Sequence, residues 1–348
     1  MSGEFTVNGG LKTVCPVCSA AIDFQNLEPF TRANCPSCQH EYLVPMLVDS
    51  YLLEDCLSQN GVVYDYKAME ISTGKPVRVQ KLNAAFYNVF RRQAEFPKLE
   101  FPGAVKYLDT LVHNHELYVI SEHIGGSSIR EFITDEGIEE ESIILILFST
   151  ARIMAAASNS GVNHGYLTPD SIKVDENGEV RICDFMLHQN ILTGHDNSAK
   201  INHIFDVRYL ANHSLYGNSA SEKTDLFSLG VCLYEMITGE TPNNSKTLEE
   251  IIAERNLTPF SKDYLMSRGV RNELIITTMG LLNNEFTCFK EVREFVKQKF
   301  IKSEGPTKGV KKDKSRTKVT MKKKKPSVKL PKAKRPLKSK NALRKFFK

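Results

Sequence analysis

Between residues 49 and 300 the hydrophobic pattern changes period. In KPVRVQKL (75–82), VKYLDTLVHN (105–114) and ELYVISEHI (116–124) the run lengths and apolar spacing are those of half-buried strands, and NGVVYDYKAMEI (60–71) reads the same way. From residue 141 the apolar positions recur at three and four. ESIILILFSTARIMAAASNSG (141–161) and SEKTDLFSLGVCLYEMITG (221–239) are therefore predicted helices. The longest apolar run, IILILF (143–148), is too short to cross a bilayer and reads as the buried part of the first helix. Strands first and helices after predict a small sheet-rich lobe followed by a larger helical one, an α+β architecture.

Two flanking segments break this pattern. CPVCSAAIDFQNLEPFTRANCPSCQHEYLVP (15–45) spaces its cysteines as C-x2-C, sixteen residues, then C-x2-C. Each pair can turn both sulfurs toward one point, and four thiolates at tetrahedral angles suit Zn²⁺. Cys15, Cys18, Cys35 and Cys38 are the predicted ligands. Four sulfurs close the coordination sphere, so the metal is expected to hold the fold and not to activate water. The segment resembles the zinc-ribbon family, whose members mostly serve as adaptors for protein or nucleic acid. His40, two residues past the last cysteine, is expected on the surface of the second knuckle. At the other end, GPTKGVKKDKSRTKVTMKKKKPSVKLPKAKRPLKSKNALRKFFK (305–348) is Lys-rich, punctuated by proline and self-repelling. Such a segment buries too little apolar area to offset its ordering entropy and is predicted to be disordered. The expected organisation is a ribbon over 1–48, a bilobal domain over 49–302 divided near residue 124, and a basic tail over 303–348.

Charge sharpens the division. Residues 301–348 carry 17 Lys and 3 Arg against Glu304 and Asp313, a balance of +18 in a chain whose total is +5, which leaves residues 1–300 at −13. The tail is expected to neutralise phosphates on DNA, RNA or anionic lipid without reading sequence. Its last residues, NALRKFFK (341–348), form too short a segment to make a stable amphipathic helix alone. The N-terminal MSGEFTVNGGLK lacks the apolar run of a signal peptide, and no transmembrane segment is predicted. With four of eight cysteines grouped, a cytoplasmic, reducing setting is expected; Cys56, Cys183, Cys232 and Cys288 read as small buried apolar residues.

Several stretches of the middle segment, in order, carry a resemblance. They are NGVVYDYKA, PVRVQKL, FPGAVKYLDT, LYVISEHIGGSSIREFI, HGYLTPDSIKV, ICDFML and TDLFSLGVCLYEMITGETP. Together they resemble the protein-kinase family, closest in style to bacterial serine/threonine kinases. The resemblance implies a bilobal fold with a β-rich N-lobe and a helical C-lobe, with ATP and Mg²⁺ as cofactors and phosphoryl transfer as the reaction.

The same resemblance shows which parts are exchanged. Where the family has the aspartate that accepts the substrate proton, this chain has Tyr166, a phenol that stays protonated near neutrality. The family's loop lysine is Thr168, its metal-binding asparagine is Ser171, and the arginine before the aspartate is Gly165. The strand lysine is Gln80; Lys81 is adjacent, but neighbouring strand residues face opposite ways. The helix C glutamate has only Arg92, Gln93 or Glu95 as candidates, and Gly61 alone survives of the phosphate-covering glycines. The metal triplet keeps Asp184 but ends in Met186, where glycine would give flexibility. Asp184 and Gly61 are thus the remaining nucleotide-site candidates, and the exchanges argue against ATP and Mg²⁺.

What is retained is architectural: His164, expected against Phe185, with Leu167, Asp225 and Gly230. Ala211-Asn212-His213 replaces Ala-Pro-Glu, and LLNNEFTCFKEV (281–292) lacks the arginine that would pair with that glutamate, so both ends of a buried pair are gone. Asp170 is expected to cap a turn, and His123 to be structural. The expected function is a pseudokinase acting as a scaffold or regulatory module, with protein partners met through the kinase-like domain or the ribbon. Two alternatives are a divergent kinase using Asp184 with an unconventional cation such as Lys81, and a nucleic-acid-associated adaptor working through ribbon and tail.

Overall fold

The structure, a computed structural model, describes residues 11–59, 63–82, 96–187, 205–215, 220–257 and 259–301. Gly61, Arg92, Gln93, Glu95 and the Lys-rich tail lie outside them.

Two short hairpins open the fold, β1 (Lys12–Val14) with β2 (Ala21–Asp23) and β3 (Arg32–Asn34) with β4 (Glu41–Leu43). In each, a cysteine knuckle of the same build joins the two strands. The Cys15 backbone N–H bonds Ala20 O and Ser19 N–H bonds Cys15 O, just as Cys35 N–H bonds His40 O and Gln39 N–H bonds Cys35 O. Ser19 and Gln39 take left-handed φ values of 59° and 60° to make these turns. Ile22, Phe24 and Val44 pack with Cys15 and Cys35 in a small core of their own.

A six-stranded antiparallel sheet follows in the order β5–β6–β7–β8–β10–β9, from β5 (Met46–Val48), β6 (Tyr51–Gln59), β7 (Val63–Glu70), β8 (Lys75–Leu82), β9 (Tyr107–His113) and β10 (Glu116–Glu122). Met46–Val48, within the segment expected as the ribbon, pairs with β6 in this sheet. β8 is central, and alternation sorts its side chains. Leu82 joins Val63, Leu117 and Val119 in the large core, whereas Val77 and Val79 join Tyr66, Tyr118 and Ile120 on the opposite, outer face. That outer face is apolar because the ribbon covers it. Phe30 lies over Tyr66, ring centroids 5.3 Å apart and 20° from parallel, and Met46 packs into the same cluster.

The helical lobe is built on α1 (Glu140–Asn159), α2 (Asn212–Leu215), α3 (Glu222–Thr238), α4 (Leu248–Leu257), α5 (Asp263–Ser267), α6 (Asn272–Leu282) and α7 (Phe289–Val296), with a small sheet of β11 (Ser127–Ser128), β12 (Ile172–Val174) and β13 (Val180–Ile182) facing the cleft. α1 is long and apolar enough by composition to span a membrane, yet more than half of its apolar stretch is buried within the lobe. The helix predicted over 221–239 ends as its sequence dictates. Ser221 caps the first turn by accepting from Thr224 N–H, and Gly239 stops it at φ 84°, where a side chain would meet Thr134 O at 2.3 Å. Gly230 lets α3 approach α6, since a Cβ there would stand 2.9 Å from that of Leu281. The lobes are joined in the backbone by Val105 N–H to Ile182 O (2.8 Å) and Ile182 N–H to Gly103 O (2.9 Å).

Candidate functional site

A cavity of about 910 Å³ lies between the lobes, walled by β6, β7 and β8 above and by the 166–171 loop and Asp184 below. Parity along β8 decides what enters it. Arg78 and Gln80 share the inward face with Leu82; Lys81 points outward, 3.3 Å from Glu116 Oε2 and 4.4 Å from the centre of the Tyr64 ring. Lys81 is therefore not the cation of the cleft. Arg130 and Lys173 also line the cavity, but the described cation on the inward face of β8 is Arg78, which the sequence reading passed over. Its Nη1 donates to Asp184 Oδ1 (2.7 Å) and its Nη2 to Asp184 Oδ2 (3.3 Å), while Nε and Nη2 engage both oxygens of Asp65 at 2.7–2.9 Å. Only 8% of Arg78 is exposed. Burial alone would lower its pKa, but Asp184 and Asp65 outweigh it and hold the guanidinium well above its ordinary value. Gln80 is fully buried beside it, and its Oε1 finds no hydrogen-bond partner among the described residues.

The catalytic-loop positions are spent on structure. The Tyr166 phenol accepts from Asp206 N–H (2.8 Å) and its ring meets Phe205 edge-on, centroids 4.9 Å apart. Burial pushes this phenol far above its usual range, so it is a fixed hydroxyl and not a base. Ser171 Oγ donates to Thr168 O (2.9 Å) and accepts from Thr168 N–H (3.0 Å), closing its own turn. Asp170, expected to cap a turn, instead meets Arg130 Nε at 3.2 Å. Arg130 also donates to Glu235 and to Tyr209 Oη, a network no sequence pattern announced.

Below the cleft the retained residues tie the loop down. Asp225 accepts from the backbone N–H of His164 (2.7 Å) and Gly165 (2.8 Å); burial, against those two amides, raises its carboxyl to about 7. His164 Nε2 sits 2.8 Å from Cys183 O and its ring 5.0 Å from that of Phe185. Asp184 and Met186 both adopt left-handed φ, 68° and 61°. For Met186 this is the conformation a glycine would enter without steric cost, at roughly 1–2 kcal/mol for a residue with a Cβ. His123, half-buried, lines the outer wall of the same cavity.

The end of the 205–215 segment is held by a residue that the sequence reading did not foresee. Arg255 on α4, buried, donates to Leu210 O (2.6 Å), Arg208 O (2.7 Å) and Asn243 Oδ1 (2.9 Å), and lies over Phe227. Carbonyls take the place of a carboxylate partner, and burial lowers this guanidinium to about 10.

In the ribbon the four predicted ligands converge. Cys15 and Cys38 sulfurs are 3.6 Å apart, as are those of Cys18 and Cys35, and all four lie within 4.8 Å of one another. A tetrahedron of ~2.3 Å metal–sulfur bonds needs sulfurs ~3.8 Å apart, so the quartet fits a metal ion. The Cys35 thiol is lowered to about 6, first by the Cys38 backbone N–H. Cys38, despite the His40 backbone N–H, is pushed up to about 12 by burial and the neighbouring sulfurs. The His40 side chain is exposed and not among the grouped ligands.

Comparison with known proteins agrees with this architecture. The family described as protein tyrosine and serine/threonine kinase matches residues 59–267. A probable serine/threonine-protein kinase of Clostridium perfringens is 29% identical over 210 residues, covering 57% of this chain and 30% of that protein. Serine/threonine-protein kinase PknB of Mycobacterium leprae is 27% identical over 210 residues, 57% of this chain and 34% of that one. The chain thus spans about a third of the length of these relatives. Two solved structures share the fold: Rad53 1–466 in complex with AMP-PNP (TM-score 0.58, 18% identity, 72% of this chain and 65% of that one) and PpkA-294 in its apo form (TM-score 0.59, 15% identity, 72% and 97%). With the match running from β6 to α5 across both lobes and the cleft between them, the chain belongs to the protein tyrosine and serine/threonine kinase family.

Proposed function

We propose that this chain is a pseudokinase, a kinase-family protein whose cleft does not transfer phosphate and which acts as a scaffold or regulatory binding module. The observation that carries the reading is the Arg78–Asp184 pair. The carboxylate that would hold a metal ion has both oxygens engaged by a buried guanidinium from the chain itself. Tyr166 adds to it, because phosphoryl transfer to an alcohol needs a proton acceptor and this phenol is protonated and bound to backbone.

The ribbon's cysteines hold Zn²⁺ in a structural role: sulfur-only ligands and this spacing favour Zn²⁺ over the harder cations. Reduced, metal-binding thiols fit a cytoplasmic protein. The ribbon and the outward surfaces of the kinase fold meet protein partners, and the Lys-rich tail meets a polyanion. With the protein at micromolar concentration and γ-labelled ATP with Mg²⁺ or Mn²⁺, no label is expected on the chain itself or on a generic basic protein substrate. Incorporation that disappears in Asp184→Asn overturns the reading. Affinity for DNA, RNA or anionic vesicles is expected to fall steeply with salt and to vanish when residues 303–348 are removed.

A further inference from the structure

We propose that Arg78 is the cleft's resident cation: its guanidinium stands between Asp65 and Asp184 where a divalent ion would otherwise be required, and the oxygens it holds form a latent cation site. This rests on the non-catalytic reading of the same cleft and goes further, because it assigns that cleft a charge partner and a closing device.

Asp65 belongs to β7 in the upper lobe and Asp184 follows β13 in the lower one. Among the described residues, Arg78 hydrogen-bonds to both. It does so with a planar fork whose donors address the two carboxylates from different edges, five contacts between 2.7 and 3.3 Å. A lysine at this position would bring a point charge that cannot reach both carboxylates in two bidentate sets. Both carboxylates depend on this guanidinium for charge-assisted hydrogen bonds at low exposure, so removing it leaves those contacts unmade.

Gln80 offers a further oxygen on the same face. It lies two residues along the same inward face, opposite Asp65 in the β7–β8 register, and its Oε1 is buried without a hydrogen-bond partner among the described residues. Two carboxylates and a neutral amide oxygen are the donor type that hard divalent cations prefer. In the native chain the guanidinium takes their charge, and the lobes are bridged by a tethered ion that neither dissociates nor requires a nucleotide to bring it.

The test uses the full chain, saturated with Zn²⁺ so that the ribbon is silent, and titrates Mn²⁺ alone, with no nucleotide, followed by electron paramagnetic resonance and thermal unfolding. Wild-type protein is expected to bind no Mn²⁺ in the cleft and to melt at an unchanged temperature. Arg78→Ala is expected to melt lower and to gain one Mn²⁺ with roughly tenfold or greater affinity over wild type, recovering part of its lost melting temperature. The gain is expected to vanish in Arg78→Ala/Asp184→Asn. Arg78→Met, which keeps the bulk of the side chain, serves where the alanine variant does not fold. Two results overturn the proposal: variants lacking the arginine that bind Mn²⁺ no better than wild type, or wild type that binds Mn²⁺ through Asp184 with Arg78 in place. Phosphate transfer by wild type would end the functional reading, while the Mn²⁺ titration would decide the resident cation separately.

Discussion

Two places in this molecule gather anionic groups around a point, and they resolve the resulting charge in opposite ways. In the ribbon, four sulfurs come within 4.8 Å of one another, steered by backbone amides and short turns. In the cleft, Asp65 and Asp184 come together around Arg78. The ribbon's arrangement suits an ion taken from solution; the cleft's carries its own. A borrowed cation can be chelated or competed away, so a ribbon that holds one is expected to depend on supply. A tethered one cannot, so the cleft's geometry is set when the chain folds. A kinase's ion and nucleotide come and go, whereas under the proposed reading the Arg78 contact is built into this chain.

The largest effect is expected from breaking the borrowed side. Structural zinc supplies ~10–16 kcal/mol in small zinc modules, far more than hairpins of three-residue strands supply alone. Chelation, or Cys35→Ser, is expected to unfold residues 11–44 and to uncover the part of the Tyr66, Val77 and Val79 face that Phe30 covers. Hydrogen exchange should show protection lost in the ribbon and reduced along β7 and β8, with α1 and α3 unchanged. Uniform loss through both lobes would refute the separation of the two regions.

Next comes the tethered side. Removing one partner from a buried ion pair costs ~3–5 kcal/mol, so Arg78→Ala should lower stability to urea by about that much. Arg78→Ala/Asp184→Asn should cost less than the sum of the two single changes. Strict additivity would mean that the pair does not act as a unit.

Smaller effects sharpen the picture. Phe30→Ala deletes a half-buried ring stacked on Tyr66 and should cost ~1–2 kcal/mol, detected as a separate, earlier melting of the ribbon. Tyr166→Phe should cost ~1 kcal/mol through the lost Asp206 N–H bond, with no change in phosphotransfer. Asp225 gives a pH signature. Its carboxyl titrates near 7 in the fold and near the ordinary carboxylate value when unfolded, so between about pH 4 and 7 the native state holds a proton the unfolded chain has lost. This contribution is full below that window and disappears as pH rises through 7. The stability difference between wild type and Asp225→Asn should therefore narrow from about pH 5 to pH 8, measured by urea unfolding.

Much of this was legible in the sequence where a local rule operates. Alternation marked β8, a short apolar run marked β10, period 3.6 marked α3, and cysteine spacing marked the sulfur quartet. The cleft was legible as losses, since each exchanged position could be checked against a residue type. It was not legible as gains. Attention fixed on the lysine position and its neighbour Lys81, yet the decisive cation stands two residues earlier. A signal was present: Arg78 shares inward parity with Gln80 and is flanked by Val77 and Val79, and a charge on the inner face of a central strand must have partners. Arg255 gave a similar sign, seven and four residues on from the buried positions Leu248 and Ile251 of α4. The seat of the ribbon on the outer sheet face left no such trace, because Phe30 in a polar stretch has no periodic neighbour to show what it covers.

The most direct test is calorimetric titration of the zinc-loaded wild-type chain with ATP and Mg²⁺ at millimolar levels. The account predicts no saturable heat, because the metal-binding carboxylate is already taken by Arg78. A one-to-one isotherm that Asp184→Asn abolishes would contradict it.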